Sequence, residues 1–143
     1  MMKLRILVMD EDPGTRKALV IGLSSEEWTV DAVADGTSGV EYADQYCYDL
    51  LITDIPLPDV DGLGLLKKIR QKLPEIMIIV ITGQCCVDIL DENFLQVVNS
   101  FYPKPLSLTA IKRAIQLECK KKGGIHPKRL PCGDSGNNGM EYL

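Results

Sequence analysis

The segment around Asp54 is a buried-strand pattern that ends on an acid. Leu50-Leu51-Ile52-Thr53 contains no charged residue and no polar alternation, which predicts a strand buried on both faces of a parallel sheet. After Asp54 come a loop with two prolines and a glycine and then an amphipathic helix. Open α/β sheets build their sites at the carboxyl ends of their strands, so we interpret Asp54 as a functional residue. The structural role of helix N-cap suits Asp59 or Asp61 better.

Strand patterns and helical patterns alternate five times along the chain. The strand patterns cover residues 4–9, 28–33, 50–54, 76–81 and 99–102. Asp12-Pro13 predicts an N-cap followed by proline at the first helical position, and Ser38 with Glu41 resembles a capping box. The alternation predicts a single α/β domain, a doubly wound five-stranded parallel sheet with helices on both sides and right-handed crossovers.

Length and composition favour one domain with a tail. Among the 143 residues, we expect a folded domain over 1–121 and a flexible tail or linker over 122–143, which is rich in Gly, Pro and Asn. The net charge of −4 gives no support for direct nucleic-acid binding, and no apolar run approaches the length of a membrane span. Five cysteines without a metal-type CxxC pair favour reduced thiols and a cytoplasmic setting.

Polar side chains stand at the carboxyl ends of four predicted strands. These are the acids after strand one, the acid of strand three, the hydroxyl of strand four and the ammonium after strand five, namely Asp10, Glu11, Asp54, Thr82 and Lys104. Because parallel strands end at one edge, these groups can converge. Three carboxylates together need a cation, and oxygen ligands of this kind suit Mg²⁺. A hydroxyl and an ammonium beside them match the oxygens of a phosphoryl group, so the set predicts phosphoryl chemistry at Asp54.

Four motifs in this order resemble the receiver domain of response regulators, the CheY-like phosphoacceptor half of two-component signalling. They are Ile6-Leu7-Val8-Met9-Asp10-Glu11-Asp12-Pro13, Asp54-x3-Pro58-x3-Gly62, Ile81-Thr82-Gly83 and Lys104-Pro105. The resemblance runs from Leu4 to about Cys119 and implies flavodoxin-like topology. It also implies that Asp54 takes a phosphoryl group from a phosphohistidine on a sensor histidine kinase or phosphotransfer protein. The chain would then catalyse only its own phosphorylation and dephosphorylation.

The resemblance assigns a role to each site residue. Glu11 is expected to bind Mg²⁺ directly and Asp10 through water, with Asp54 and the carbonyl of Pro56 completing the shell. Pro56 also removes a backbone N–H that the family can donate to the phosphoryl group, which puts phosphoryl stabilisation in question. Asp10-Glu11-Asp12 further permits a one-residue shift in which Asp12 reaches the site.

The remaining implied roles concern switching. Thr82 is expected to bond the phosphoryl group, Lys104 to pair with it, and Phe101 to turn inward when Thr82 moves. The face made by the fourth helix, the fifth strand and the fifth helix would then change shape for a partner, including a second copy of the chain. Lys104-Pro105 is expected to be a cis peptide.

Two other functions compete with this interpretation. A haloacid-dehalogenase-type phosphatase would use Asp10 as nucleophile and Asp12 as general acid/base. However, Gly14 stands where that family has threonine, and Asp54 would have no purpose. A receiver-like module that binds a partner without phosphorylation is the other alternative, which Pro56 keeps open.

Overall fold

The apolar runs of the sequence form the strands of one parallel sheet. A computed structural model describes residues 3–55, 61–83, 92–121 and 124–125. The strands are β1 (Leu4–Met9), β2 (Trp28–Val33), β3 (Leu50–Asp54), β4 (Met77–Thr82) and β5 (Ser100–Pro103). Their order in the sheet is β2-β1-β3-β4-β5, and every neighbouring pair is parallel. The predicted doubly wound α/β fold is therefore confirmed.

Helices connect the strands and cover both faces of the sheet. They are α1 (Pro13–Leu23), α2 (Gly36–Gln45), α3 (Gly62–Lys72), α4 (Glu92–Val97) and α5 (Leu108–Lys120). One core layer lies between the sheet and the side of α2, α3 and α4, and it includes Leu7, Leu51 and Val80. The other lies on the side of α1 and α5 and includes Val8, Ile52 and Ile81. Successive residues of the central strands thus enter opposite layers, which is why β1, β3 and β4 are mostly apolar.

Side-chain caps fix where four of the helices begin. Each cap accepts a hydrogen bond from the backbone N–H three residues further on, and the caps are Asp12, Asp35, Asp61 and Ser107. The predicted N-cap at Asp12 is confirmed. The predicted capping box at Ser38 is wrong, because α2 begins at Gly36 and the Asp35 carboxylate accepts from the Ser38 N–H.

The packed core continues past α5. Ile125 is 5% exposed and packs in the layer of α1 and α5, and its N–H bonds to the Glu118 carbonyl. The core therefore reaches four residues beyond the predicted domain end at 121, and residues 126–143 of the predicted tail lie outside the described ranges. Cys119 is a free thiol, whereas Cys47 is disulfide-bonded, so the expectation of reduced thiols is wrong for Cys47. Within the described ranges, no helix has the length and apolar character needed to cross a membrane.

Candidate functional site

The strand register brings four of the predicted site residues to one edge of the sheet. Met9 of β1 is paired with Thr53 of β3, so the next residues of the two segments, Asp10 and Asp54, lie side by side. Asp54 is paired with Ile81, which places Thr82 one step further along β4. Thr82 is in turn paired with Pro103, the residue before Lys104. The polar groups at the ends of β1, β3, β4 and β5 therefore lie in a row along one edge of the sheet.

Lys104 forms the centre of this edge. Its Nζ lies 3.1 Å from Asp10 Oδ2 and 3.1 Å from Asp54 Oδ2, so one ammonium donates to both carboxylates. The side chain of Asp10 is 3% exposed and that of Asp54 is 16% exposed, so Asp10 is the deeper acid and Asp54 the more accessible one. Among the residues that the structure describes, Lys104 supplies the hydrogen bond to the Asp54 side chain.

The two acids keep Lys104 charged. Burial by itself disfavours the ammonium and lowers its pKa, but the hydrogen bonds and negative charges of Asp10 and Asp54 outweigh burial, so the pKa of Lys104 is raised. A cation is thus held between two carboxylates at neutral pH.

The β1–α1 loop holds Asp10 through its backbone. The Asp12 N–H donates to Asp10 Oδ1 at 2.9 Å. Arg16, on the first turns of α1, donates through Nη1 to the carbonyl oxygens of Asp10 at 2.8 Å and Glu11 at 3.0 Å. These three hydrogen bonds all hold the loop that carries Asp10 and Glu11.

Asp12 is occupied by helix capping. Its carboxylate accepts from both the hydroxyl and the N–H of Thr15, at 2.7 and 3.0 Å. These bonds, the hydroxyl first, hold the pKa of Asp12 below its usual range. An exposed, ionised N-cap is poorly placed to shuttle a proton, which weighs against the phosphatase alternative.

Thr82 and Phe101 lie on the adjacent strands. Thr82 is 3% exposed, and its hydroxyl donates to the Ile55 carbonyl at 3.1 Å. Phe101 is half-buried and packs against the core layer of α2, α3 and α4. The Lys104–Pro105 peptide is cis, which confirms that prediction. Thr82 therefore connects the end of β4 to the residue that follows Asp54.

Two of the predicted Mg²⁺ ligands lie together in the structure, and the other two do not join them in the described ranges. Asp10 and Asp54 converge on one cation, and Mg²⁺ characteristically uses one or two carboxylates with water and phosphate oxygens, so the donor set fits. Glu11 is exposed, and no group of three or more His, Cys, Asp or Glu side chains gathers around a metal position in the described ranges. Pro56, the predicted carbonyl ligand, lies outside those ranges.

Arg16 is the site residue that the sequence did not reveal. A basic residue in the first turns of an amphipathic helix ordinarily indicates a solvated face. Arg16 differs from a solvated helix residue because its guanidinium donates to the carbonyl of Asp10, six residues earlier, and this contact is seen only in the structure. Its neighbour Lys17 is exposed on the same helix.

Comparison with known proteins agrees with the fold. QseB of Haemophilus influenzae, a transcriptional regulatory protein, is 25% identical over 123 residues, covering 86% of this chain and 56% of that protein. A CheY-like receiver domain protein of Methanospirillum hungatei has a TM-score of 0.75 at 23% identity, covering 80% of this chain and 92% of that one. The response regulator TrrA of Thermotoga maritima, solved in complex with Mg²⁺-BeF, has a TM-score of 0.70 at 25% identity, covering 80% and 97%.

Fold and site together define a receiver-type α/β domain. The family model of the response regulator receiver domain matches residues 6–116, which is most of the chain, and the chain belongs to that family. The chain spans about half the length, or less, of the first curated relatives that it matches.

Proposed function

We propose that this receiver domain accepts a phosphoryl group on Asp54 in a Mg²⁺-dependent reaction. The observation that carries the proposal is the ammonium of Lys104 held 3.1 Å from both Asp10 and Asp54. This arrangement supplies an accessible nucleophilic oxygen, a fixed positive charge and a second carboxylate for a metal ion. Those three components are what in-line transfer of a phosphoryl group requires.

The chain's own groups act in a defined order. A carboxylate oxygen of Asp54 attacks phosphorus, the bond from phosphorus to the phosphohistidine nitrogen breaks, and the released imidazole takes a proton from solvent. Lys104, kept protonated by the two acids, lies where negative charge gathers on the transferred oxygens. Hydrolysis of the acyl phosphate restores the Asp54 carboxylate, so the chain catalyses only its own phosphorylation and dephosphorylation.

Asp10 and Asp54 are the residues we assign to Mg²⁺, with Glu11 and the Pro56 carbonyl as the further ligands that the family resemblance implies. A bound Mg²⁺ would neutralise the charge of the carboxylates and of the phosphoryl oxygens. The Mg²⁺-BeF complex of TrrA supports this assignment for the family. Glu11 is exposed at the rim, so its side chain has room to turn toward the site.

The response to phosphorylation is proposed to pass through Thr82 and Phe101. The Thr82 hydroxyl has to leave the Ile55 carbonyl in order to donate to a phosphoryl oxygen on Asp54. Its departure makes room on the β5 side, toward which the half-buried Phe101 can turn. Movement there changes the face of α4, β5 and α5.

The proposed partner upstream is a sensor histidine kinase or phosphotransfer protein, and the setting is the cytoplasm. We place the output contact, including pairing of two copies, on the face of α4, β5 and α5. Leu95 on α4 and Leu117 on α5 are 50% and 55% exposed, so each helix has an apolar side chain to contribute. The net charge of −4 gives no support for a direct nucleic-acid contact.

The test is phosphoryl turnover with a labelled small-molecule acyl phosphate, with and without Mg²⁺. Wild type, Asp54→Asn and Asp10→Asn are compared for stable label and for phosphate release. The proposal expects one label per chain that requires Mg²⁺ and disappears in Asp54→Asn.

Other results identify the alternatives. Absence of label from either a small donor or a cognate kinase, despite Mg²⁺ binding, would identify a receiver that works without phosphorylation. Steady phosphate release that survives Asp54→Asn but not Asp10→Asn would identify a phosphatase.

A further inference from the structure

Arg16 contacts the acid-bearing loop without touching an acid. Its Nη1 donates to the carbonyl oxygens of Asp10 and Glu11, at 2.8 and 3.0 Å. Among the residues that the structure describes, its guanidinium forms no ion pair with a carboxylate. Its charge is directed at two peptide groups of the β1–α1 loop.

One of these peptide groups connects Arg16 to the buried carboxylate. The carbonyl of Glu11 and the N–H of Asp12 belong to the same peptide unit. Arg16 donates to that carbonyl, and the N–H on its other side donates to Asp10 Oδ1 at 2.9 Å. A charged donor on one end of a peptide polarises it and strengthens the bond that its N–H makes.

Arg16 therefore fixes two successive peptide planes. The carbonyl of Asp10 sets the plane between residues 10 and 11, and that of Glu11 sets the plane between residues 11 and 12. These two planes flank Glu11 and set the direction in which its side chain leaves the backbone, while Asp10 is held by the first plane and by the bond from the Asp12 N–H to its carboxylate. Since Mg²⁺ demands near-ideal octahedral geometry, freedom in these planes reduces its affinity.

We propose that Arg16 is a positioning residue for the metal site, which it serves by orienting Asp10 and Glu11 through the peptide between residues 11 and 12. The inference rests on the proposed Mg²⁺-dependent function. Orientation and simple electrostatics predict opposite signs: removal of a positive charge near a dication site should strengthen Mg²⁺ binding by Coulomb's law, whereas loss of orientation should weaken it.

The experiment measures Mg²⁺ affinity by titration calorimetry for wild type, Arg16→Met, Arg16→Lys and Lys17→Met. Lys17 is the matched control, because it carries the same charge on the same helix and is exposed. Loss of a residue that orients metal ligands typically weakens binding roughly 10-fold to 100-fold. We expect about a tenfold loss for Arg16→Met, a smaller loss for Arg16→Lys, which keeps one donor, and no loss for Lys17→Met.

A second measurement separates orientation from general damage. The initial rate of phosphoryl uptake is recorded against Mg²⁺ concentration, and urea unfolding is recorded with a chelator present. Arg16→Met should need more Mg²⁺ to reach half its maximal rate, while the maximal rate stays near that of wild type. If Arg16→Met does not fold, Arg16→Lys decides by the same two titrations.

The outcomes distinguish this inference from the function on which it rests. Wild type that binds no Mg²⁺ overturns the proposed function. Wild type that binds Mg²⁺, with Arg16→Met and Arg16→Lys binding it equally or more tightly, overturns only the role of Arg16. Equal losses in the Arg16 variants and Lys17→Met also overturn that role, because they would indicate a general disturbance of α1 and not the loss of the Arg16 hydrogen bonds to the loop.

Discussion

Lys104 and Asp54 lie 50 residues apart in the chain, and their side chains meet at 3.1 Å. The same ammonium reaches the buried Asp10 at the end of β1. Because Lys104 follows β5, which reaches β3 through β4, four strands have to be in register before this cation has its two partners. The contact ties correct pairing of β1, β3, β4 and β5 to the chemistry of the site.

Replacement of Lys104 should destabilise the domain through the acids that it leaves behind. Lys104→Met removes the cation between two largely buried carboxylates, and an uncompensated buried charge of this kind costs about 3 kcal/mol of unfolding free energy. Saturating Mg²⁺ supplies a replacement cation, so the difference from wild type should shrink when Mg²⁺ is present. Urea unfolding with Mg²⁺ and with a chelator measures both values.

Lys72 offers the control for that measurement. Its salt bridge with Asp44 is on the surface, with the acid 53% exposed, and exposed pairs contribute roughly 0–1 kcal/mol. Lys72→Met should therefore change the unfolding free energy little and independently of Mg²⁺. A Lys104→Met variant that behaves like Lys72→Met would contradict the assignment of the Lys104 site.

Tyr48 should make the domain sensitive to alkali. Its side chain is 4% exposed and its hydroxyl donates to Asp31 Oδ2 at 2.6 Å. Burial first, and then the hydrogen bond and charge of Asp31, raise the pKa of Tyr48. With a raised folded-state pKa, the native state binds the proton more tightly than the unfolded state. The contribution of protonated Tyr48 to the unfolding free energy is therefore fully present below about pH 10 and is lost as the pH rises beyond that value.

Tyrosinate absorbance during a pH titration tests this. The chain has five tyrosines, and Tyr48 should stay protonated in the native protein until the domain unfolds. Tyr48→Phe should remove that delayed ionisation and flatten the alkaline loss of unfolding free energy. Ionisation of all tyrosines near pH 10 in the folded protein would contradict the burial of Tyr48.

Arg70 should hold α4 in place. Its guanidinium donates to the Val97 carbonyl at 2.7 Å and to Asn99 Oδ1 at 3.1 Å, and also to the Ile76 carbonyl. Arg70→Met would remove this donor from the partly buried Ile76 and Val97 carbonyls, whereas Asn99 Oδ1 keeps the N–H of Ile78, and each unsatisfied buried group costs about 1–3 kcal/mol. We expect a loss of about 3 kcal/mol in unfolding free energy and faster amide exchange at Val98 and Asn99.

Arg113→Met is the matched control, since Arg113 is exposed on α5. It removes the same charge and should leave both the unfolding free energy and exchange near α4 unchanged. Equal effects of the two substitutions would indicate that net charge, and not the Arg70 hydrogen bonds, stabilises this end of α4.

Much of this fold was predictable because its central strands, β1, β3 and β4, are buried on both faces. β1 and β2 have the bounds that their apolar patterns predict, and Thr82 ends β4 where the run reaches a polar residue. Asp10, Asp54 and Lys104 could be placed together because parallel strands end at one edge. Helix starts were harder to predict. A capping box would pair the Ser38 N–H with the Glu41 side chain, but the Asp35 carboxylate accepts that N–H.

The parts that escaped prediction depend on contacts between backbone and side chain. Arg16 and Arg70 both donate to backbone carbonyl oxygens, and because every residue has such a carbonyl, the sequence does not indicate which one is the acceptor. Ile125 was assigned to a tail because Gly and Pro surround it, yet burial of one large apolar side chain outweighs that local composition.

The most direct test of the account is to locate the phosphoryl group itself. Protein incubated with Mg²⁺ and acetyl phosphate is reduced with borohydride, which converts an aspartyl phosphate to homoserine, and is then sequenced by peptide mass spectrometry. We predict homoserine at position 54 only, lost without Mg²⁺ and lost in Asp54→Asn. Homoserine at position 10 or 12, or at no position after treatment with both a small donor and a kinase, would contradict the assignment of Asp54 as the phosphoacceptor.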